Sequence, residues 1–369
     1  MKRKVRVALA FKDFAAWLRS SCTGLNVAGF ATAEVLKEAG IDVTVFPVRH
    51  NIDLVYAIDG YKEEHGEPLT HVIISAPWLS VHDLRSLLEH FPYIHFVVLS
   101  HSNVGFLQAD FEGVRLLRQY IHLSQEHSNL SVGGNSERFV EWLRETFHRD
   151  AVLLPNLYPL ARTKMKPAPV PKDGLPTQTI KIGAFGAVRP QKNFMTAAAA
   201  AVSIQRHLKV PVEFHMSVGG EEGGNFTSLA IEQMLEESGV TLIRHPWRYW
   251  DDFIEVVGSM DLLIQVSYTE SFNMITADGI NAGVPSVVSP AISWAPFLWT
   301  ADPDNAKEVA HVGLSLLRQD ETRQLGISAL KAHDAWGLSV WEGFFHAVEN
   351  DSCEEKGLWQ IVKSLFKRR

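Results

Sequence analysis

Two short stretches of this sequence carry residues suited to a phosphorylated ligand. In the first, Gly186 is followed by Arg189, Pro190 and Lys192, ahead of a helical run that begins near Phe194. A strand that ends in a glycine turn and enters a helix presents free amides and the positive end of the helix dipole to an anion; Arg189 and Lys192 add full charges. The other reading of these residues is an ordinary strand-to-helix loop with solvated basic side chains. In the second stretch, Glu270 and Asp278 lie eight residues apart, with Phe272, Asn273 and Met274 between them. That spacing is about two helical turns, so both carboxylates can face one wall of a cleft and suit the paired hydroxyls of a sugar and a ribose. The alternative is that Glu270 caps a helix and Asp278 is a surface acid.

Other signals are weaker or exclude chemistry. Trp247 and Trp250 follow an apolar run and either form a rim on which a nucleobase stacks or belong to the core of the next helix. Asp302 and Asp304 spell an Asp-x-Asp pair, yet Asp304 is more simply a helix cap, and no metal is implied. The glycines at 219, 220, 223 and 224 fit no phosphate-loop pattern and read as a loop after a strand. The first strand lacks the glycines that a nicotinamide site needs.

Such residues need sheets to hold them. Apolar runs at residues 5–10, 43–48, 71–76, 94–100 and 152–154 alternate with amphipathic stretches at 27–39, 81–90, 114–122 and 137–147. Buried parallel strands joined by crossover helices read this way, so residues 1–158 are expected to form a doubly wound, Rossmann-like α/β domain. Residues 159–178, rich in Pro and Lys, suit neither helix nor central strand and read as a linker. The alternation restarts at 180–185, 212–218, 240–243, 262–266 and 286–288, which predicts a second domain of the same kind over 179–345. The last segment, 346–369, ends in a basic amphipathic stretch from Leu358. It reads as a helix returning to the N-terminal domain, or as a weak contact with an anionic membrane surface.

Composition agrees with two globular units. A chain of 369 residues exceeds what one core usually organises, and two domains imply a cleft. A net charge of -7 does not favour a nucleic-acid partner. Only Cys22 and Cys353 are present, which indicates neither a disulfide framework nor a cysteine metal site. The basic start is interrupted by Arg6, Lys12 and Asp13 before an apolar stretch can form, so no signal peptide is read and the expected location is the cytoplasm.

Together, the 186–193 and 268–288 stretches resemble the donor-binding domain of retaining GT-B glycosyltransferases, those with a Glu-x7-Glu signature, here Glu270 and Asp278. The resemblance implies two Rossmann-like domains facing a cleft, with Lys192 on the donor diphosphate, Glu270 on the transferred sugar and Asp278 on the ribose. It also implies that the amides of Phe272, Asn273 and Met274 face phosphate or sugar oxygens. Two departures stand out: Ala187 occupies the position of the family's arginine, with Arg189 a replacement for its charge, and the second acid is Asp. In the first half, the stretch through Gly24 resembles the family's loop near the diphosphate, without its double glycine. His101 follows the 94–100 strand where the family often has a histidine near the reacting sugar, and could donate to a sugar hydroxyl or to the leaving phosphate.

The function implied is transfer of a hexose or pentose from a nucleoside-diphosphate sugar, UDP- or GDP-linked, to an unidentified acceptor. Retention is expected, with His101, Lys192 and Glu270 as catalytic residues, no metal, and no cofactor beyond the donor substrate. The rivals are a nucleotide-sugar epimerase of similar shape, which needs no acceptor, and a non-catalytic nucleotide-sugar binder.

Overall fold

The computed structural model describes residues 4–13, 24–172, 174–176, 178–218 and 225–352. The first domain runs β1 (Arg6–Lys12), α1 (Gly24–Glu38), β2 (Asp42–Val48), α2 (Asn51–His65), β3 (His71–Ser75), α3 (Val81–His90), β4 (His95–Ser100), α4 (Val104–Leu107), α5 (Phe111–Glu126), β5 (Leu130–Gly134), α6 (Glu137–Phe147) and β6 (Val152–Leu153). Its six strands are parallel, in the order β2-β1-β3-β4-β5-β6. Alternation along the strands feeds two cores. Ala8, Ala10, Ile74, Phe96 and Val98 pack under α2, α3, α5 and α6, whereas Val7, Leu9, Ile73, Val97 and Leu99 face α1. Both faces are covered, which is why these strands read as continuous apolar runs.

The second domain repeats the plan with β7 (Ile180–Ala184), α7 (Phe194–Leu208), β8 (Val212–Val218), α8 (Asn225–Ser238), β9 (Thr241–Pro246), α9 (Trp250–Gly258), β10 (Leu262–Gln265), α10 (Met274–Ala282), β11 (Ser286–Val288), α11 (Ala306–Arg318) and α12 (Asp320–Ser352). Its five parallel strands are ordered β11-β10-β7-β8-β9. In each sheet the order reverses once, beside β1 in the first and beside β7 in the second, and such reversals open a crevice at the carboxyl ends of the strands.

Residues 159–178 are docked on the second domain rather than loose. Met165 and Val170 are buried in its core, and the Lys166 and Val170 amides donate to the carbonyls of Gly283 and Leu317. The helix α12 joins the two units. At 33 residues it is roughly 50 Å long. Ile327 and Leu330 sit in the second domain's core, while Trp341 and Phe345 complete the first domain's other face against Val7, Leu9 and Leu154. Between these anchors α12 holds the crossing strand of chain. Trp341 Nε1 donates to the Pro155 carbonyl at 2.8 Å, His333 Nε2 to that of Asn156 at 2.9 Å, and Asp334 accepts the Tyr158 amide at 3.0 Å. Among the described residues of α12, Trp341 and Phe345 reach the first domain just ahead of 346–369, where the sequence suggested the return; the basic stretch from Leu358 lies outside the described residues. No helix among the described residues is long and apolar enough to cross a membrane.

Candidate active site

The loop after β7 is shaped by hydrogen bonds rather than by charge. Gly186 has φ of 114°, a conformation that glycine adopts without strain, and its amide donates to Ser217 Oγ at 3.3 Å. The chain makes one 3-10 turn, Pro190–Lys192, before α7. Asn193 locks this turn, with Nδ2 donating to the carbonyls of Val266, at the end of β10, and Pro303, at 3.1 and 2.8 Å. The Tyr268 amide donates to the Gln191 carbonyl at 2.9 Å. The loops after β7 and β10, neighbours where the strand order reverses, are therefore held as one unit.

Lys192 and Glu270 meet in that unit. Lys192 Nζ lies 2.5 Å from Glu270 Oε1, and the same oxygen accepts from Ser267 Oγ at 2.8 Å and Asn273 Nδ2 at 2.9 Å. Three donors on Oε1 direct any further donor to Oε2. Burial pushes the Glu270 carboxyl up, but the Lys192 ammonium and the three hydrogen bonds outweigh it and hold the group below the usual carboxylate range. Glu270 does not cap α10. That role falls to Asn273, whose Oδ1 accepts the Thr276 amide at 2.8 Å, so Met274 begins the helix with an amide that has no partner within it. Phe272 is a wall of the loop, its ring stacked on Trp294 at 5.1 Å and its carbonyl accepting the Trp294 indole N–H at 2.6 Å.

His101 comes from the other domain, between β4 and α4. Its Nδ1 lies 3.4 Å from Asn135 Nδ2, and its carbonyl accepts from Ser271 Oγ, next to Glu270, at 3.1 Å. Asn135 Nδ2 also lies 3.2 Å from Ser271 Oγ. The residue keeps some surface, but Nε2 has none and no partner among the described residues; burial lowers the imidazole to about 4, so the ring is neutral near pH 7. Beneath it lies a cavity of about 10 Å³ lined in part by Thr32, Ser75, Asn156 and Trp341. The domains touch closely here. A Cβ on Gly105 would stand 2.8 Å from Thr269 Cγ2, and Arg138 Nη2 donates to the Pro290 carbonyl at 2.7 Å.

The other expected residues are placed differently. Asp278 is buried in α10, and its Oδ1 accepts from Tyr158 Oη at 2.8 Å and Trp250 Nε1 at 2.9 Å; burial raises its carboxyl to about 7 against these two bonds. Arg189 stacks its guanidinium 4.9 Å from the Phe106 ring centroid, across the cleft, and Ala187 is buried beneath that loop. Trp247 is partly buried, with its indole N–H unpartnered among the described residues. Gly24 opens α1, while residues 20–23 and the 219–224 loop lie outside the described residues. Asp304 accepts the Tyr268 hydroxyl at 2.6 Å and is not the cap of α11; Asn305 is, through the Glu308 amide. Among the described residues no three His, Cys, Asp or Glu side chains gather as metal ligands.

Sequence reasoning passed over Asn135, Ser271 and Tyr158. Ser271 stood unremarked between Glu270 and Phe272. Asn135 follows Gly133 and Gly134, which hid β5, and a glycine pair where no Cβ fits was the signal available.

No family model matches the chain, and no curated protein matches it in sequence. Solved structures do resemble it in fold. Alr3699/HepE of Anabaena, in complex with UDP-glucose, is 14% identical, covers 98% of this chain and 99% of its own, and superposes with a TM-score of 0.57. Sucrose-phosphate synthase of Thermosynechococcus elongatus is 15% identical over 99% of this chain and 100% of its own, with a TM-score of 0.57. A UDP-forming trehalose-phosphate synthase of Burkholderia xenovorans is 12% identical over 94% and 99%, with a TM-score of 0.55. The likeness establishes the GT-B arrangement of two parallel-sheet domains.

Proposed function

We propose that the protein transfers a sugar from a nucleoside-diphosphate sugar to an acceptor hydroxyl, with retention at the anomeric carbon and without a metal. One observation carries this reading: the Lys192–Glu270 pair sits where the second sheet's strand order reverses, and Ser271 ties it to His101 across the cleft. Support comes from a neighbour of the same fold, Alr3699/HepE, whose structures hold UDP or UDP-glucose.

In this scheme the diphosphate takes Lys192 from Glu270 and lies against the first amides of α7 and α10, which offset the charge growing on the leaving group. Glu270, released, accepts a hydroxyl of the transferred sugar. Ribose falls to Asp278 Oδ2, since Oδ1 already holds Tyr158 and Trp250. The acceptor oxygen bonds to the anomeric carbon as the bond from that carbon to the phosphate oxygen breaks. The acceptor proton passes to the leaving phosphate, and His101 Nε2, covered in this structure, donates to a sugar hydroxyl or a phosphate oxygen once the donor displaces what covers it. Closure of the two domains keeps water from the donor.

A thermal-shift panel of nucleoside diphosphates and their sugars, run on the wild type and on Lys192→Ala, tests the reading. At least one nucleotide should stabilise the wild type and lose that effect in the variant. Equal stabilisation of both proteins, or of neither, would overturn it.

A further inference from the structure

Ser271 and Asn135 together determine which ring nitrogen of His101 carries the proton. The Ser271 hydroxyl donates its one hydrogen to the His101 carbonyl at 3.1 Å, so toward Asn135, 3.2 Å away, it can only accept. Asn135 must therefore present its NH2 group to Ser271, and the second hydrogen of that group points to His101 Nδ1 at 3.4 Å. Nδ1 then accepts, and the imidazole proton resides on Nε2. This leaves Asn135 Oδ1 and the His101 Nε2–H buried without partners among the described residues, whereas reversing the amide would strand two N–H hydrogens and leave Nε2 without a donor.

We propose that Asn135 is a positioning residue that fixes His101 as a neutral Nε2–H donor, and that Ser271 makes this tautomer depend on the two domains being together. The proposal rests on the reading of the cleft as a donor site. Ser271 belongs to the loop that carries Glu270, whereas Asn135 and His101 belong to the first domain. When the cleft opens, Asn135 loses the acceptor that orients it and nothing in this chain of bonds holds the ring proton on Nε2. When the cleft closes on a donor, the same loop that brings Glu270 sets the ring for donation. The burial that depresses the His101 pKa to about 4 keeps the ring singly protonated, so the choice of nitrogen matters throughout the neutral range. Placement of Asn135 is strict: its amide donates to the Ser100 carbonyl at 3.2 Å, and the two preceding glycines lie where a Cβ would meet Val152 or Phe139 within 2.4 Å.

The test reads the tautomer directly, by NMR of ¹⁵N-histidine-labelled full-length protein, with the His101 ring assigned through His101→Gln. At neutral pH the wild type should show protonated Nε2 and bare Nδ1. In Asn135→Asp, which can only accept from the ring, Nδ1 should become protonated; in Ser271→Ala, which leaves the first domain untouched, the two tautomers should mix. The rate of UDP release from UDP-glucose should fall roughly 10- to 100-fold in kcat for Asn135→Asp, with donor KM within about threefold. A wild type protonated on Nδ1, or an unchanged tautomer in both variants, overturns the proposal. UDP and GDP titrated into the same samples separate the two ideas: if neither binds the wild type, the donor-site reading fails, whatever the tautomer.

Discussion

Replacing Asp278 by Asn should stabilise the protein, and more so as the pH rises. Asp278 is 2% exposed, and burial raises its carboxyl from 3.8 to about 7 despite the hydrogen bonds from Trp250 and Tyr158. A folded-state pKa above the unfolded one means that the native protein binds the extra proton between these values. Stability is therefore lost as pH rises from about 4 through 7, and the loss is complete above about 8. A shift of about three units corresponds to roughly 4 kcal/mol. Asparagine keeps the oxygen that accepts both bonds and cannot ionise. Urea unfolding followed by tryptophan fluorescence should show the variant close to the wild type near pH 4 and roughly 3–4 kcal/mol more stable at pH 8, an upper figure because the chain relaxes around a buried charge. Asp334, which burial also raises to about 7, has the same sign, and since both acids bind Tyr158 their double variant should not be additive. A stability difference that stays flat from pH 4 to 8, or a variant less stable at pH 8, would refute the reasoning by showing that Asp278 is ionised at no cost in the folded state.

Two further outcomes follow from packing. Gly133→Ala should abolish or severely lower soluble yield, because its Cβ would lie 1.9 Å from the Val152 carbonyl oxygen, between neighbouring strands that cannot part; normal yield and urea midpoint would contradict this. Trp341→Ala should cost roughly 3–5 kcal/mol, since a fully buried ring and the bond to Pro155 are both lost, and limited proteolysis should then cut within residues 4–158; Trp341→Phe should retain most of the stability.

The sequence made the parallel strands legible because strands covered on both faces are apolar without interruption, and β8, β11, α3 and α6 fall where the pattern put them. What it concealed has specific causes. β5 ends in two glycines, chosen for close approach to β6 and α6, and glycine argues against a strand in any propensity scale. The helix α2 is polar along most of its surface, burying only Leu54, Ile58 and Tyr61, so its period is faint. In the candidate site, the loops that carry Lys192 and Glu270 were recognisable because they follow strands and precede helices. Their direct contact was not, because it depends on Asn193 and Tyr268 fastening one loop to the other. The partners of Asp278 come from Tyr158 and Trp250, distant in sequence and unrelated by any motif.

The Lys192–Glu270 pair also bears on which ligand the proposed donor site would prefer. A lysine and a glutamate with side chains only 20% and 9% exposed would each be costly alone, and together they neutralise one another; in the proposed scheme the diphosphate draws Lys192 out of this contact. In the proposed scheme a diphosphate takes the place of the carboxylate as the partner of Lys192, and a sugar hydroxyl becomes a donor to Glu270 with Ser267 and Asn273 still in place. Neither half-ligand does both. A bare diphosphate leaves Glu270 buried as an anion with its cation withdrawn; a free sugar leaves the ion pair closed. On the proposed function, the arrangement would favour the intact nucleotide sugar over its parts, through the cost of an unpaired buried charge rather than through any additional contact.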